Sequence, residues 1–237
     1  MWGALWATVS TPTLRLFHFV TSRAGQVIRD LLGPADAGVT VSDFYRAYDQ
    51  LDGPHQRCWA HFLRDVHKLT EADPRHAGLA VWAEAVQVLY RFAVAWSAQV
   101  EERTPAERAA MPQGLEALLL AVCRAQEPET PQATLCARVE RHHGEFFTFV
   151  AVPGVAPTNN AAERALRPLV IARKISGGTR SARGARRAWC STPSWSPGSC
   201  ATSTRSPSSW HCCAPHAQLR KLPRAEFLPT ARQTWAT

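Results

Sequence analysis

The chain has 237 residues, 46% of them hydrophobic, and its 27 lysines and arginines against 19 aspartates and glutamates leave a formal net charge of +8. That length and apolar content suit one large domain or two small ones with a buried core, and the positive balance favours a polyanionic partner, DNA or RNA. Composition argues against a membrane span, since no run of about 18 apolar residues occurs; against a secretory signal, since no basic n-region or cleavage site opens the chain; and against a disulfide framework, since the seven cysteines are odd in number and irregularly spaced.

In chain order, residues 2–10 (WGALWATVS) read as a strand, Thr11-Pro12 as a turn, and residues 13–20 (TLRLFHFV) as the hairpin partner, with Leu14, Leu16, Phe17 and Phe19 set around Arg15 and His18. Ser22 is placed to cap a helix running to Leu32, which stops at Gly33-Pro34. Residues 38–42 (GVTVS) form a short strand of the buried type, with Asp43 at its end. Two strands, a helix and a third strand define an α/β unit.

From residue 55 to residue 149 the pattern is mostly helical. HQRCWAHFLRDVHKLTEA sets Trp59, Phe62, Val66 and Leu69 at spacings of three and four, and GLAVWAEAVQVLYRFAVAWSAQVEER, PQGLEALLLAVCRAQ and TLCARVERHHGEFFTFV are further amphipathic segments. A loop at residues 154–157 leads to a helix from near Thr158. The expected organisation is the first part of an α/β domain at 1–54, a helical insertion at 55–150, and a helix with a basic stretch at 151–187. The tail at 188–237 holds Ser, Pro, Cys and Trp without helical or strand period. It reads as degenerate or disordered, in the manner of coding sequence translated out of frame.

Two acidic residues carry a chemical question. Asp43, at the carboxyl end of a buried strand, is where open α/β sheets place their sites, yet it is equally placed to cap the next element. Glu163 and Asn160 have capping-box spacing, with Asn160 as N-cap and Glu163 at the third helical position. Capping does not account for the basic residues that follow: Arg164, Arg167, Arg173 and Lys174, then Arg180, Arg183, Arg186 and Arg187, with few acidic partners. Phosphate contact accounts for them, and predicts binding that weakens steeply with salt. Cys58-x-x-His61, with His67 beyond, is a weak zinc pattern that lacks a second cysteine; a packing or site-adjacent role fits the apolar neighbours better. No phosphate-cradling glycine motif and no nucleophile elbow is present.

TLRLFHFVTSRAGQVIRDLLG, GVTVSDFYRAYDQL, HQRCWAHFLRDV and PTNNAAERALRPLVIARKISGGTRSARG together resemble the transposases of insertion sequence 66, over about residues 2–187. The resemblance implies a DDE recombinase with an RNase H-like (retroviral-integrase-like) α/β domain and a helical insertion. It implies DNA strand cleavage and transfer by three carboxylates holding two Mg²⁺ (or Mn²⁺) ions. Asp43 matches the second family aspartate and Glu163 the glutamate, so these two are the catalytic and metal-ligand candidates. Cys58 and His61 match a site-adjacent C-x-x-H signature. Asn159, Asn160, Arg164, Arg167, Arg173, Lys174, Arg180 and Arg183 carry over as DNA-contacting candidates. The family's first aspartate precedes the strand with which this sequence opens, so the expected RNase H-like domain is incomplete, its neighbouring strand edges are left open, and the chain is inactive alone. The alternative is a non-catalytic DNA-binding remnant that competes with, or oligomerises with, intact transposase. The implied partners are transposon-end DNA and further copies of the chain, with no membrane, in the cytoplasm at the nucleoid.

Overall fold

The computed structural model describes residues 4–9, 15–20, 25–32, 38–175, 200–201 and 209–213. The expected caps at Ser22 and Gly33-Pro34, and the basic residues beyond 175, lie outside them. The chain divides into two compact units, one from residues 1–38, 46–52 and 160–237, the other from residues 39–45 and 53–159.

In the first unit, strands β1 (Ala4–Val9) and β2 (Arg15–Val20) form the expected hairpin, antiparallel with Ala4 opposite Val20 and Val9 opposite Arg15. The other edge of β2 is not left open. It pairs with β6 (Ser209–Cys213), Leu16 opposite Cys213, and β6 pairs with β5 (Cys200–Ala201), giving the order β1-β2-β6-β5. Residues 200–201 and 209–213 thus form two short strands. Trp, His and Cys in SWHCC are compatible with extended backbone once a partner edge offers hydrogen bonds, and that offer is tertiary. Helix α1 (Gly25–Leu32) buries Ile28, and it packs against a 3₁₀ turn at Arg46–Gln50 that buries Ala47. Helix α7 (Asn160–Ile175) lies against β1.

The second unit holds the two-stranded parallel sheet, β3 (Thr40–Ser42) with β4 (His55–Arg57), in register Thr40–His55, Val41–Gln56, Ser42–Arg57. The ladder extends at both ends, Thr40 N donating to Pro54 O at 3.0 Å and Cys58 N to Ser42 O at 2.8 Å. Residues 55–57, at the start of the stretch that reads as mostly helical, thus form a strand; helical period begins only at Trp59, and His55, Gln56 and Arg57 are polar yet buried. The strand expected at residues 38–42 is one half of this two-stranded sheet.

Five helices complete the unit: α2 (Trp59–Ala72), α3 (Ala77–Ser97), α4 (Pro105–Arg124), α5 (Ala133–Arg141) and the single turn α6 (Thr148–Ala151). Helix α4 starts earlier than its apolar pattern, because Thr104 and Glu107 make a capping box: Thr104 Oγ1 accepts from Glu107 N at 3.2 Å and Glu107 Oε2 from Thr104 N at 2.8 Å. The segment expected as one helix from 134 to 150 breaks after Arg141, where Gly144 takes φ +85°, a left-handed conformation that favours glycine.

The core is built on Trp59, which is fully buried. It meets Phe62 and Phe146 edge-on at 5.8 and 5.4 Å between ring centres, and its indole N–H donates to Phe146 O at 2.6 Å. Val66, Leu79, Val86, Leu119, Val139 and Phe147 close around it. Helix α3 is, among the described residues, the one helix long and apolar enough to cross a bilayer. Here it buries Leu79, Trp82, Val86, Ala93 and Trp96 in this core.

Candidate functional site

Strand β3 delivers Asp43 at its carboxyl end, half-buried, as the sequence pattern anticipates. Asp43 Oδ1 accepts from Tyr45 N at 3.0 Å, an Asx-type turn that leads the chain away from the strand. The backbone at this point is held by Arg57, whose Nη1 donates to Asp43 O at 3.1 Å and reaches Ser42 Oγ at 3.4 Å.

Arg57 is only 1% exposed, so its charge requires a partner. Glu145 supplies it: Arg57 Nε donates to Glu145 Oε2, and Arg57 N donates to Glu145 O at 2.7 Å. His142 Nδ1 lies 3.4 Å from the same carboxylate. Burial works against ionisation of Glu145, but His142 and Arg57 outweigh it and hold its carboxyl below the usual range. Gln56, fully buried, ties the same segment to β4, donating to Phe146 O at 2.9 Å and accepting from Phe149 N at 2.9 Å. Phe44 covers this network, 5.6 Å from the His142 ring, with the Arg138 guanidinium 4.9 Å over its own.

The sequence pattern did not reveal Arg57, Gln56, His142 or Glu145 as parts of the Asp43 surroundings. Their one local signal is three polar residues, HQR, directly before a helical period. The partner carboxylate lies 88 residues away, at a distance no spacing rule reaches.

Cys58, the residue before α2, is fully buried. Its Sγ accepts from Asn159 N at 3.4 Å, and its side chain is hydrogen-bonded to His61. Burial raises the thiol's pKa, but His61 and the Asn159 N–H prevail and bring it below the ordinary value. Trp59 N donates to Pro157 O at 3.0 Å, so the C-x-x-H segment anchors residues 157–159, the approach to α7. The Asn159 Oδ1 is buried with no hydrogen-bond partner among the described residues. His67 stands apart on α2, 3.3 Å from Glu71 and largely exposed. Cys58, His61 and His67 do not gather into a ligand set, and among the described residues no group of three or more His, Cys, Asp or Glu side chains surrounds a common point.

Helix α7 begins at Asn160. Glu163 lies in the first turn, half-buried, where a carboxylate is favoured by the helix dipole. Arg164, Arg167 and Lys174 are exposed along the helix. Arg173 is part of α7. Arg180 and Arg183 lie outside the described residues. Asp43 belongs to the unit of residues 39–45 and 53–159, and Glu163 to the other.

The chain is a mostly helical α/β protein with a half-buried acidic residue at a strand end, a buried arginine bonded to that residue's carbonyl, and a basic helix downstream in the chain. Residues 2–187 match the Transposase IS66 family, and the chain belongs to that family. Its function is accordingly that of DNA transposition, and its partner DNA. No curated protein and no solved structure matches the chain.

Proposed function

We propose that this chain contributes Asp43 and Glu163 to an RNase H-like DDE site for DNA strand cleavage and transfer. The observation that carries the reading is Asp43 at the end of β3 with its backbone pinned by a buried Arg57. A carboxylate that must meet a cation needs a fixed origin, and a buried guanidinium bonded to the Asp43 carbonyl provides one. Carboxylate oxygens suit Mg²⁺ or Mn²⁺. The described residues do not assemble three acidic ligands around one point, so Asp43 and Glu163 are assigned only as the two side chains that would hold the metal. When bound, such ions activate the attacking oxygen and stabilise the leaving one at a phosphodiester. The protein's own contribution is to orient Asp43 through Tyr45 N and Arg57, to anchor the approach to α7 through Cys58, and to present Arg164, Arg167 and Lys174 to the DNA backbone.

The chain is expected to bind transposon-end DNA, through the exposed basic residues of α7. Mn²⁺ titration followed by electron paramagnetic resonance is expected to show binding weakened by Asp43→Asn and by Glu163→Gln. Unchanged Mn²⁺ binding in both variants defeats the assignment, and so does vigorous Mg²⁺-dependent nicking that Asp43→Asn leaves intact.

A second reading, a non-catalytic DNA-binding partner of intact transposase copies, is favoured by the exposed Arg164, Arg167 and Lys174. It predicts metal-independent binding with a steep salt slope, and mixed oligomers with a complete transposase on gel filtration.

A further inference from the structure

We propose that the outward face of α3 is an interface at which two copies of this chain pair antiparallel about a two-fold axis. Helix α3 is apolar on two faces, and the fold covers one of them. Leu79, Trp82, Val86, Ala93 and Trp96 enter the core. Val81, Ala85, Val88, Phe92 and Ala95 follow one another at spacings of four, three, four and three, the repeat of a helix–helix seam. At about 100° per residue, this seam lies about 120° round the helix from the buried face. Val81 is 71% exposed, Val88 48% and Phe92 51%. A helix apolar all round belongs inside a structure, and large apolar side chains gathered along one exposed seam mark a contact surface.

Charge selects what covers it. Glu84 and Arg91 flank the seam on the side away from the core, each more than half exposed, with Arg91 Nη2 donating to Glu84 Oε1 at 2.6 Å. A two-fold axis near residues 86 and 87 sets Val81 of one copy against Phe92 of the other, and Ala85 against Val88. The same axis brings Glu84 of each copy to Arg91 of the other, so four charges alternate in sign across it. The face is thus self-complementary, as an isologous interface requires. Parallel pairing instead turns Glu84 and Arg91 towards Leu89 and Trp96 and leaves both without an opposite charge. One helix face is smaller than the roughly 800 Å² per partner of a standard interface, so the association is weak and depends on concentration. Helix α3 lies wholly within the unit of residues 39–45 and 53–159, and the pairing uses neither Asp43 nor Glu163.

The test is sedimentation velocity of the full chain, without DNA, over a concentration series. The mass is expected to rise reversibly from 26.1 kDa towards twice that value. Val88→Asp places a carboxylate beside the axis and is expected to give a monomer with the circular dichroism of the wild type. Glu84→Arg and Arg91→Glu each set like charges opposite one another, and each alone is expected to weaken association about tenfold or more. Mixed in equal amounts, the two variants are expected to associate again, because each then offers the charge that the other needs. Mixing cannot restore a bridge within one helix, so recovery reports contact between copies, whether or not Val88→Asp folds. The proposal is overturned by a monomer at every concentration, by a dimer that Val88→Asp leaves unchanged, or by a mixture no more associated than its components. Flotation with neutral phospholipid vesicles in place of self-association gives the face to a membrane and overturns it equally.

Discussion

Strand β4 and helix α7 carry separate parts of one family signature, and they treat positive charge in opposite ways. In β4, Arg57 is withdrawn from water and matched to Glu145, to the Asp43 carbonyl and to Ser42. In α7, Arg164, Arg167 and Lys174 stand in solvent. A buried guanidinium is committed to the partners the fold provides, since losing one leaves a charge in a poor solvent. A solvated one keeps its hydration and can exchange it for phosphate. The difference teaches that the basic character of this chain is of two kinds, one architectural and one available to a ligand.

The comparison breaks most readily at Arg57. Arg57→Met strands Glu145 and is expected to destabilise the helical unit by about 3–5 kcal/mol in urea denaturation, with part recovered in the double variant with Glu145→Gln. A loss as small as that of a surface arginine erases the architectural half of the distinction. The opposite pattern is expected for Arg164→Gln, Arg167→Gln and Lys174→Gln. Each is expected to change stability by no more than about 0.5 kcal/mol, while each phosphate contact removed lowers the slope of log affinity against log salt by about 0.9. Fluorescence anisotropy with duplex DNA across a salt series reads that slope.

Within the core, Trp59→Phe keeps most of the apolar surface but loses the donor to Phe146 O, and is expected to cost about 1 kcal/mol. A cost near zero means that the indole hydrogen bond does not hold the 145–149 segment.

Two carboxylates of this unit respond to pH with opposite sign. Glu145 is held below its ordinary pKa in the fold, so its contribution is present above about pH 4.3 and is lost as pH falls through the lowered value. Glu116 accepts from Phe146 N at 2.8 Å, and burial, ahead of those donors, raises its pKa. Its contribution is present below about pH 4.3 and is lost as pH rises through the raised value. Stability against pH for Glu145→Gln is expected to flatten on the acid side, and for Glu116→Gln on the side above. The smallest effect is expected from the exposed pair Arg124–Glu140, where Arg124→Ala changes the denaturation midpoint by the equivalent of about 0.5 kcal/mol or less.

How much was legible beforehand differs residue by residue. Trp59, Phe62 and Val66 announce a buried helix face through spacing alone, and the hairpin of β1 and β2 through alternation and its turn. Asp43 is legible as a strand-end carboxylate because GVTVS is a short apolar-rich run. Glu107 with Thr104 is a capping signal present in the residues TPAE, and it extends α4 beyond its apolar stripe. Arg57 was not legible, because three polar residues in a row carry no sign of burial unless their partners are known. Nor was β6, because SWHCC has no strand period and needs the vacant edge of β2.

The order of residues by itself determined where helices and hairpin run, which faces are apolar, the excess of positive charge and the family to which residues 2–187 belong. Those properties depend on neighbours within a few positions or on motif identity. Only the tertiary structure decided that His55–Arg57 are buried strand, that Glu145 neutralises Arg57 and that the indole of Trp59 donates to Phe146 O. Each of those depends on groups far apart along the chain, brought together because a buried polar atom is stable only where another element supplies its hydrogen bond.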